Sequence, residues 1–241
     1  MTSAEEALRH AQRLLVITGA GASAESGIPT FRDPGGWWNT RSPEELATRR
    51  AFQRDPEEVW RWYDARRQIV ARAQPNLTHR ALAHAEAAGR RVEIVTQNVD
   101  DLHERSGSRR VVHVHGSIWR MRCIVEGTHF ENRDVPLTAL PPRCPRGHLA
   151  RPDIVWWDEE LDPSVVRRVD DIVDDRFDVA LVIGTEATFD YIREWARRAR
   201  AGGAQLIEMN PKETALTPFV DSRLAQPTGE VLYGILASQS G

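Results

Sequence analysis

Val16-Ile-Thr-Gly-Ala-Gly-Ala-Ser-Ala-Glu-Ser-Gly-Ile-Pro-Thr-Phe-Arg-Asp33 is the stretch that decides the fold of this 241-residue chain. The apolar run at 14–17 that leads into it is short enough for a buried strand. Gly19 and Gly21 follow at once, and without a Cβ they let the backbone turn tightly and approach a ligand. A helix beginning here would direct its unpaired N–H groups to the same place, which suits a pyrophosphate. The stretch therefore predicts a dinucleotide cradle.

The glycine turn departs from the ordinary dehydrogenase fingerprint. Ala24 occupies the place of the third glycine, and no acidic residue follows about 20 residues later at a strand end to hold a ribose. A plain strand, turn and helix explain the two glycines equally well. The tail at 27–33 favours a ligand site, because a simple turn has no need of Arg32 between an aromatic and an acidic residue.

The composition is that of an ordinary globular protein, with 41% hydrophobic and 28% charged residues. A net charge of -3 gives no electrostatic indication of nucleic-acid binding. No run approaches the roughly 18 apolar residues of a membrane span, and the acidic first residues contain no apolar signal core. Two cysteines cannot form a disulfide framework. We expect a cytoplasmic protein with neither a nucleic-acid nor a membrane partner.

The order of the predicted elements indicates an α/β fold, a parallel sheet covered by helices on both faces. Near-continuous apolar strands are predicted at 14–17, 92–96, 111–114, 179–183 and 205–209. Predicted helices lie at 3–12, 56–73 within a helical stretch 42–73, 76–88, 98–105, 163–173, 191–201 and 230–236. Regular periodicity disappears at 117–152, where we predict a loop-rich insert, and returns at 154–157.

Two inserts interrupt the alternation of strands and helices. We expect a large Rossmann-like domain from 1–35, 86–116 and 153–241, and a small domain from 36–85 and 117–152. Ligands in such folds bind beyond the carboxyl ends of the strands.

Polar clusters follow three of the predicted strands, at 96–103, 115–117 and 184–186. Gln97, Asn98 and Asp100 offer amide and carboxylate groups suited to ribose hydroxyls or a carboxamide. Taken singly, Asn98 is more typical of a helix N-cap, and Asp100 of an acidic residue in a first helical turn. The coincidence of all three clusters with the glycine turn favours a catalytic crevice.

His115 is the one imidazole placed directly at a strand end beside a glycine. Its ordinary pKa lies near neutrality, so it can take a proton from a hydroxyl. A structural histidine is the alternative interpretation of this residue alone.

The chain resembles the sirtuins, NAD-dependent protein deacylases, over nearly its whole length. The matching segments are Gly19-Ala-Gly-Ala-Ser23, Gly27-Ile-Pro-Thr-Phe-Arg-Asp33, Thr96-Gln-Asn-Val-Asp100, His115-Gly-Ser117, Ile154-Val-Trp156, Gly184-Thr185 and Met209-Asn-Pro211. The resemblance implies that NAD binds between a Rossmann-like domain and a small domain built from a helical insert and a zinc ribbon.

The resemblance also assigns roles to residues of this chain. It implies that NAD is bound by Gly19, Ala20, Gly21, Ser23, Phe31, Arg32, Gln97, Asn98, Asp100, Gly184, Thr185, Asn210 and Pro211. The acyl oxygen of a modified lysine would attack the ribose carbon as nicotinamide leaves. His115, with Asn98 as the second catalytic residue, would then act as general base on the ribose hydroxyls. Val155, Trp156 and Trp157 would bind the acylated peptide or protein.

Tyr63 and Arg66 specify the expected acyl group. They are three residues apart in the predicted helix 56–73 and so share one face. In the sirtuin subgroup that removes acidic acyl groups, a Tyr and an Arg at this spacing hold the distal carboxylate. A guanidinium fork and a phenol suit a carboxylate, which implies desuccinylase and demalonylase activity together with weaker deacetylase activity. Alternatively, this helix is simply rich in solvated arginines and Tyr63 is packed.

The zinc ribbon of the family is degenerate in this sequence. Its two Cys-x-x-Cys pairs are reduced to Cys123 and Cys144, and a structural zinc site takes four Cys or His ligands. His148 supplies a third ligand and Glu126 or His129 a poor fourth. We therefore expect no bound zinc and an insert held by proline-rich packing.

Two further departures concern the substrates. Trp156-Trp-Asp-Glu159 stands where the family reads Trp-Phe-Gly-Glu, so Asp158 is expected to restrict the peptide loop or repel acidic peptides. Glu186 replaces a serine beside the adenosine, where a carboxylate is unfavourable near phosphate.

Two other functions stay open. One is a sirtuin-like NAD hydrolase or mono-ADP-ribosyltransferase, which would release nicotinamide without an acyl substrate. The other is a non-catalytic NAD-binding module, against which Asn98, Asp100 and His115 argue.

Overall fold

The structure is a computed structural model and describes residues 3–31, 36–37, 42–226 and 228–237. The strands of this part of the chain are β1 (Arg13–Thr18), β2 (Arg91–Thr96), β3 (Val111–His113), β4 (Gly116–Cys123), β5 (His129–Glu131), β6 (Ala150–Ile154), β7 (Val179–Ile183), β8 (Gln205–Met209) and β9 (Ser222–Leu224). The α-helices are α1 (Ser3–His10), α2 (Pro43–Leu46), α3 (Arg49–Arg54), α4 (Pro56–Arg72), α5 (Leu77–Ala87), α6 (Leu102–Ser106), α7 (Pro163–Val173), α8 (Asp190–Ala201) and α9 (Thr228–Ala237). Short 3-10 helices occupy Ala20–Ser26 and Thr217–Phe219.

The larger sheet confirms the predicted Rossmann-like fold. Its six strands run parallel in the order β3-β2-β1-β7-β8-β9. The strand order reverses at β1, so the crevice between the loops after β1 and β7 is a topological switch point. Thr18, the last residue of β1, pairs with Thr96 of β2 and Ile183 of β7. The polar clusters that follow these strands therefore meet at one edge of the sheet.

Helices cover both faces of this sheet, as predicted. Alternate residues of β1 pack in the cores on the two faces of the sheet, because successive side chains of a strand point to opposite faces. Leu14 packs in a core with α1, α5 and α9, while Leu15 packs in a second core with α7 and α8. None of the helices in the described ranges combines the length and apolar content that a membrane span requires.

A second, smaller sheet lies beside the helices α2 to α4. It is antiparallel, in the order β5-β4-β6, and shares a third core with α4 through Trp60, Tyr63, Met121 and Trp156. The division into a large and a small domain stays a proposal. One detail bears on its boundary: α5, which begins inside the 36–85 insert and crosses its end, packs in the first core of the large sheet.

The prediction of a loop-rich insert at 117–152 was wrong for its two ends and for the short strand β5 between them. Residues 116–123 and 150–154 form the paired strands β4 and β6. In β4 the residues Trp119, Met121 and Cys123 are buried, while the arginines between them are not. This alternation is the strand period. The pairing joins segments nearly 30 residues apart, which a local reading of the sequence does not see.

The helix predicted at 98–105 begins only at Leu102. The carboxylate of Asp100 accepts a hydrogen bond from the Leu102 backbone N–H at 3.1 Å, which explains the late start. Asn98 therefore lies outside the helix, and the N-cap interpretation of this residue was wrong. The 3-10 helix at 217–219 and strand β9 were not predicted.

Candidate functional site

The glycine turn after β1 is shaped by a neighbouring loop. The Gly21 backbone N–H donates to the Gly184 carbonyl at 2.8 Å. A Cβ added to Gly21 would lie 2.7 Å from the Gly184 Cα, and one added to Gly19 would lie 2.7 Å from the Thr185 Cβ. Gly184 also has a φ of +60°, which favours glycine. These glycines therefore let the loops after β1 and β7 touch. The segment after Gly19 forms a 3-10 helix and not the α-helix of a dehydrogenase cradle.

Asn98 is fixed behind this turn by three hydrogen bonds. Its side-chain amide donates to the Gly19 carbonyl at 3.0 Å and to the Ser23 hydroxyl at 3.1 Å. Its backbone N–H donates to the Thr96 hydroxyl. The Ser23 hydroxyl in turn donates to the Asp100 carboxylate at 3.0 Å. Burial raises the pKa of Asp100, while the hydrogen bonds from Leu102 and Ser23 partly offset that shift.

Gln97 joins this group to the end of β7. Its side-chain amide donates to the Thr185 hydroxyl at 2.9 Å. The Asn210 side-chain amide, after β8, donates to the Thr185 carbonyl at 3.1 Å. Residues from the ends of β2, β7 and β8 are therefore connected across the crevice.

His115 lies between Gln97 and Tyr191. Its Nδ1 is 3.0 Å from the Gln97 carbonyl oxygen, and its Nε2 is 2.6 Å from the Tyr191 hydroxyl. Because a carbonyl only accepts, Nδ1 carries the ring hydrogen and Nε2 carries the lone pair. Burial lowers the pKa of His115 to about 4, against the hydrogen bond to Gln97, so the ring is neutral at neutral pH.

Arg66 lies in a cage of aromatic rings. Its guanidinium carbon is 4.6 Å from the centre of the Trp62 ring and 5.4 Å from those of Phe31, Trp37 and Tyr63. The side chains of Arg66 and Tyr63 are buried, and the Tyr63 hydroxyl accepts a hydrogen bond from Trp156 Nε1 at 3.0 Å. Burial lowers the pKa of Arg66, while Tyr63 and Asp100 oppose the shift.

One pocket of about 920 Å³ joins all these groups. That volume is typical of a site for a drug-sized or dinucleotide ligand. The residues singled out from the sequence that line it are Gly19, Ala20, Gly21, Ser23, Phe31, Tyr63, Arg66, Gln97, Asn98, Asp100, His115, Val155, Trp156, Trp157, Gly184, Thr185, Asn210 and Pro211. Arg32 falls outside the described residues. The structure brings these segments together around one pocket, and the roles of all these residues stay proposals.

Four aromatic residues of the pocket were missed: Trp37, Trp62, Phe189 and Tyr191. Trp62 carried a signal, because it precedes Arg66 by four residues and so shares its helical face. Phe189 and Tyr191 follow the polar cluster at 184–186 closely in the sequence, but only the docking of α8 brings them to His115.

The side chains of the degenerate ribbon do converge. The ligand atoms of Cys123, Glu126, Cys144 and His148 lie within 4.8 Å of one another. The carboxylate of Glu126, however, is engaged by Arg146 at 3.0 Å, which places a positive charge beside the cluster. A structural zinc site favours four thiolate or imidazole ligands. The donor set therefore fits zinc poorly, and the expected loss of the ion stays a prediction.

Asp158 has a structural role that the sequence did not suggest. Both of its carboxylate oxygens accept from the Arg49 backbone N–H at 2.9 Å, at the first turn of α3. The Trp157 backbone N–H donates to the Ala47 carbonyl at 3.0 Å. Asp158 thus ties the peptide loop to the helical insert. Glu186 is exposed at the rim of the pocket.

Comparisons with known proteins agree with one another. The model of the family described as "Sir2 family" matches residues 19–190. An NAD-dependent protein deacylase 1 of Archaeoglobus fulgidus is 46% identical over 220 residues, which cover 91% of this chain and 89% of that protein. A deacylase of Thermus thermophilus is 43% identical over 96% of this chain and 91% of its own length. A solved Sir2 homologue in complex with NAD has a TM-score of 0.90 at 43% identity, covering 98% of this chain and 92% of that one.

Proposed function

The chain belongs to the Sir2 family, and on that basis we propose that it is an NAD-dependent protein-lysine deacylase that prefers acyl groups with a distal carboxylate, such as succinyl and malonyl. NAD is a substrate of this reaction and supplies the ADP-ribosyl group that receives the acyl group. The products are nicotinamide, the freed lysine and O-acyl-ADP-ribose.

The residues of the crevice fit these steps. Asn98, held against the glycine turn, and Asp100 present polar groups where the ribose of NAD would lie. His115 has its only lone pair at Nε2, so that atom is the proton acceptor when a ribose hydroxyl loses its proton. The Nδ1–H bond to the Gln97 carbonyl then stabilises the imidazolium that forms.

The acyl preference rests on one observation: the guanidinium of Arg66 is buried in the pocket wall, and the part of the chain that the structure describes places no anion beside it. Among the described residues, no carboxylate lies within ion-pair distance of it. A buried charge without a partner is costly. A carboxylate at the end of an acyl chain would give this group charge-assisted hydrogen bonds, whereas an acetyl group would not.

Arg67, the next residue, shows what a structural arginine looks like in the same helix. Its nitrogens donate to the carbonyls of Ile118, Asn132 and Asp134 and to the Asn132 side chain, at 2.6 to 3.1 Å. Arg66 makes no such bonds to carbonyl oxygens within the described residues. The interpretation of the helix as merely rich in solvated arginines was therefore wrong for both residues, which are buried.

The test is turnover of succinyl-lysine and acetyl-lysine peptides with NAD, followed by mass spectrometry. We expect the wild type to prefer succinyl, Arg66→Met to lose that preference, and His115→Ala to lose turnover of both. Arg61→Met is the matched control, because Arg61 lies on the same helix but is exposed and paired with Glu57.

Each alternative predicts a different result. A preference for acetyl that Arg66→Met leaves unchanged would refute the acyl specificity and leave a general deacetylase. Release of nicotinamide without deacylation of either peptide would instead indicate an NAD hydrolase. Binding of NAD without any turnover would indicate a non-catalytic module.

A further inference from the structure

The Tyr191 hydroxyl hydrogen-bonds to Nε2 of His115, the ring nitrogen whose lone pair the general base needs. The phenol oxygen lies 2.6 Å from that nitrogen. Since Nδ1 of the same ring is committed to the Gln97 carbonyl, the hydrogen of this contact belongs to the phenol, and Nε2 accepts it. A ribose hydroxyl therefore cannot reach Nε2 in this arrangement without meeting Tyr191.

The position of Tyr191 is fixed by its aromatic neighbours. The residue lies in the first turn of α8, and its ring stacks on Phe189 with centroids 5.3 Å apart and planes 14° apart. Its other neighbour is Trp195, at 5.1 Å. Phe189 also packs edge-on against His115 at 5.6 Å. Such contacts favour one rotamer of Tyr191, so the hydrogen bond belongs to the built site.

Both partners of the hydrogen bond are neutral. Burial raises the pKa of Tyr191 and lowers that of His115. The phenol thus keeps its proton at neutral pH, and its oxygen retains a lone pair. Tyr191 also lines the pocket, so that its oxygen is within reach of a bound ligand.

We propose that Tyr191 is a catalytic proton relay between the substrate ribose and His115. The proton of a ribose hydroxyl passes to the Tyr191 oxygen while the phenol proton passes to Nε2 of His115. The ribose oxygen, freed of its proton, forms the new bond to the acyl carbon, and the π electrons of the bond between that carbon and the lysine nitrogen move to the nitrogen. Tyr191 ends neutral, and His115 ends as an imidazolium held by Gln97. This inference rests on the proposed deacylase function and adds a residue to it.

The competing role for Tyr191 is a latch that blocks the base until the substrate displaces it. A relay and a latch make opposite predictions for Tyr191→Phe, which keeps the ring and its packing but removes the hydroxyl. If Tyr191 is a relay, the variant loses it and acyl transfer slows. If Tyr191 is a latch, the variant lacks the block and acyl transfer proceeds as fast as in the wild type or faster.

The test separates the two halves of the reaction. Exchange of isotopically labelled nicotinamide into NAD, in the presence of succinyl-lysine peptide, reports cleavage of the nicotinamide bond, which needs no base. Release of free lysine peptide reports acyl transfer, which does. We expect Tyr191→Phe to retain exchange and to lose about 100-fold or more in peptide deacylation, as loss of a group in proton transfer does. His115→Ala should show the same pattern more severely.

Tyr233→Phe is the matched control, because Tyr233 is an exposed tyrosine of α9. Deacylation by Tyr191→Phe at the wild-type rate or faster would overturn the relay, and a parallel loss of exchange and deacylation would show a merely structural role. A second variant with 3-fluorotyrosine at 191 keeps the hydroxyl but makes it more acidic. A relay predicts a changed rate of deacylation with unchanged exchange. Absence of both exchange and deacylation in the wild type would refute the proposed function itself. Failure of the deacylase function is thus distinguishable from failure of the relay, which appears only in the Tyr191 variants.

Discussion

The same substitution at two adjacent buried arginines of α4 should change the stability of the protein by very different amounts. Arg66 and Arg67 are both largely withdrawn from solvent, with exposed fractions of 7% and 0%. Methionine replaces the stem of either side chain with little change in volume and removes the charge. We expect Arg67→Met to destabilise the protein strongly and Arg66→Met to leave its free energy of unfolding nearly unchanged.

The expected cost for Arg67 follows from its hydrogen bonds. Its guanidinium donates to three backbone carbonyls and one side-chain oxygen. Removing it leaves these acceptors without their donor, at roughly 1–3 kcal/mol for each one that stays buried. Since some acceptors will regain water, we expect a total loss of about 3–5 kcal/mol, the range for breaking a buried charged network. That is a large fraction of the stability of a typical domain.

Arg66 has little to lose in the protein without substrate. Among the described residues it packs against aromatic rings, including that of Tyr63, whose phenol also opposes the fall in its pKa, and such ring contacts contribute about 0.5–2 kcal/mol. The desolvation cost of its charge offsets that contribution, and a methionine packs well against the same rings. The net change should therefore stay within about 1 kcal/mol.

Urea denaturation followed by tryptophan fluorescence measures both variants, with Arg61→Met as the exposed control. A shift of the midpoint without a change in slope gives the free-energy difference. If Arg66→Met costs as much as Arg67→Met, Arg66 is a structural residue, and the argument that its charge awaits a substrate carboxylate fails.

Other predictions follow from single contacts. Burial lowers the pKa of His79 and His115 to about 4, so below pH 6.5 the unfolded chain binds more protons than the folded one. As the pH falls from 6.5 to 4, the free energy of unfolding should therefore decrease by up to about 1.4 kcal/mol per pH unit for each histidine. Melting measured as a function of pH tests this, and a flat profile would contradict it. Asp158→Gly removes the acceptor at the first turn of α3 and should cost about 1 kcal/mol in the same denaturation assay, unlike the control Glu160→Gln. Elemental analysis should find no stoichiometric zinc, and a melting temperature lowered by chelator would refute that. Succinyl-lysine peptide without NAD should raise the melting temperature more than acetyl-lysine peptide does, and Arg66→Met should remove the difference.

The sequence predicted the large sheet well because its strands are buried on both faces. The apolar runs at 179–183 and 205–209 became β7 and β8 with the predicted limits. The spacing of Tyr63 and Arg66 likewise placed both on one face of α4, since helical neighbours are fixed by local geometry. Local information sufficed for these features.

Contacts between distant segments could not be predicted in this way. The strands β4 and β6 hydrogen-bond across a proline-rich loop, and Tyr191 meets His115 across 76 residues. Such contacts depend on how whole elements dock, which no local pattern encodes. The close approach of Gly19 and Gly21 to the loop at Gly184 was missed for the same reason.

The buried arginines locate the site independently of any family resemblance. Arg67, Arg90 and Arg151 each find oxygen acceptors in the protein: Arg67 and Arg90 donate to backbone carbonyls, and Arg151 also to the carboxylate of Glu159. Arg66 differs from them, and it is the one of these four that lines the large pocket. Since the fold supplies oxygen acceptors to each of its other buried guanidiniums, it could supply them to Arg66 as well. That it does not do so, within its described residues, is the physical reason for the proposal that Arg66 pairs with a carboxylate of the substrate.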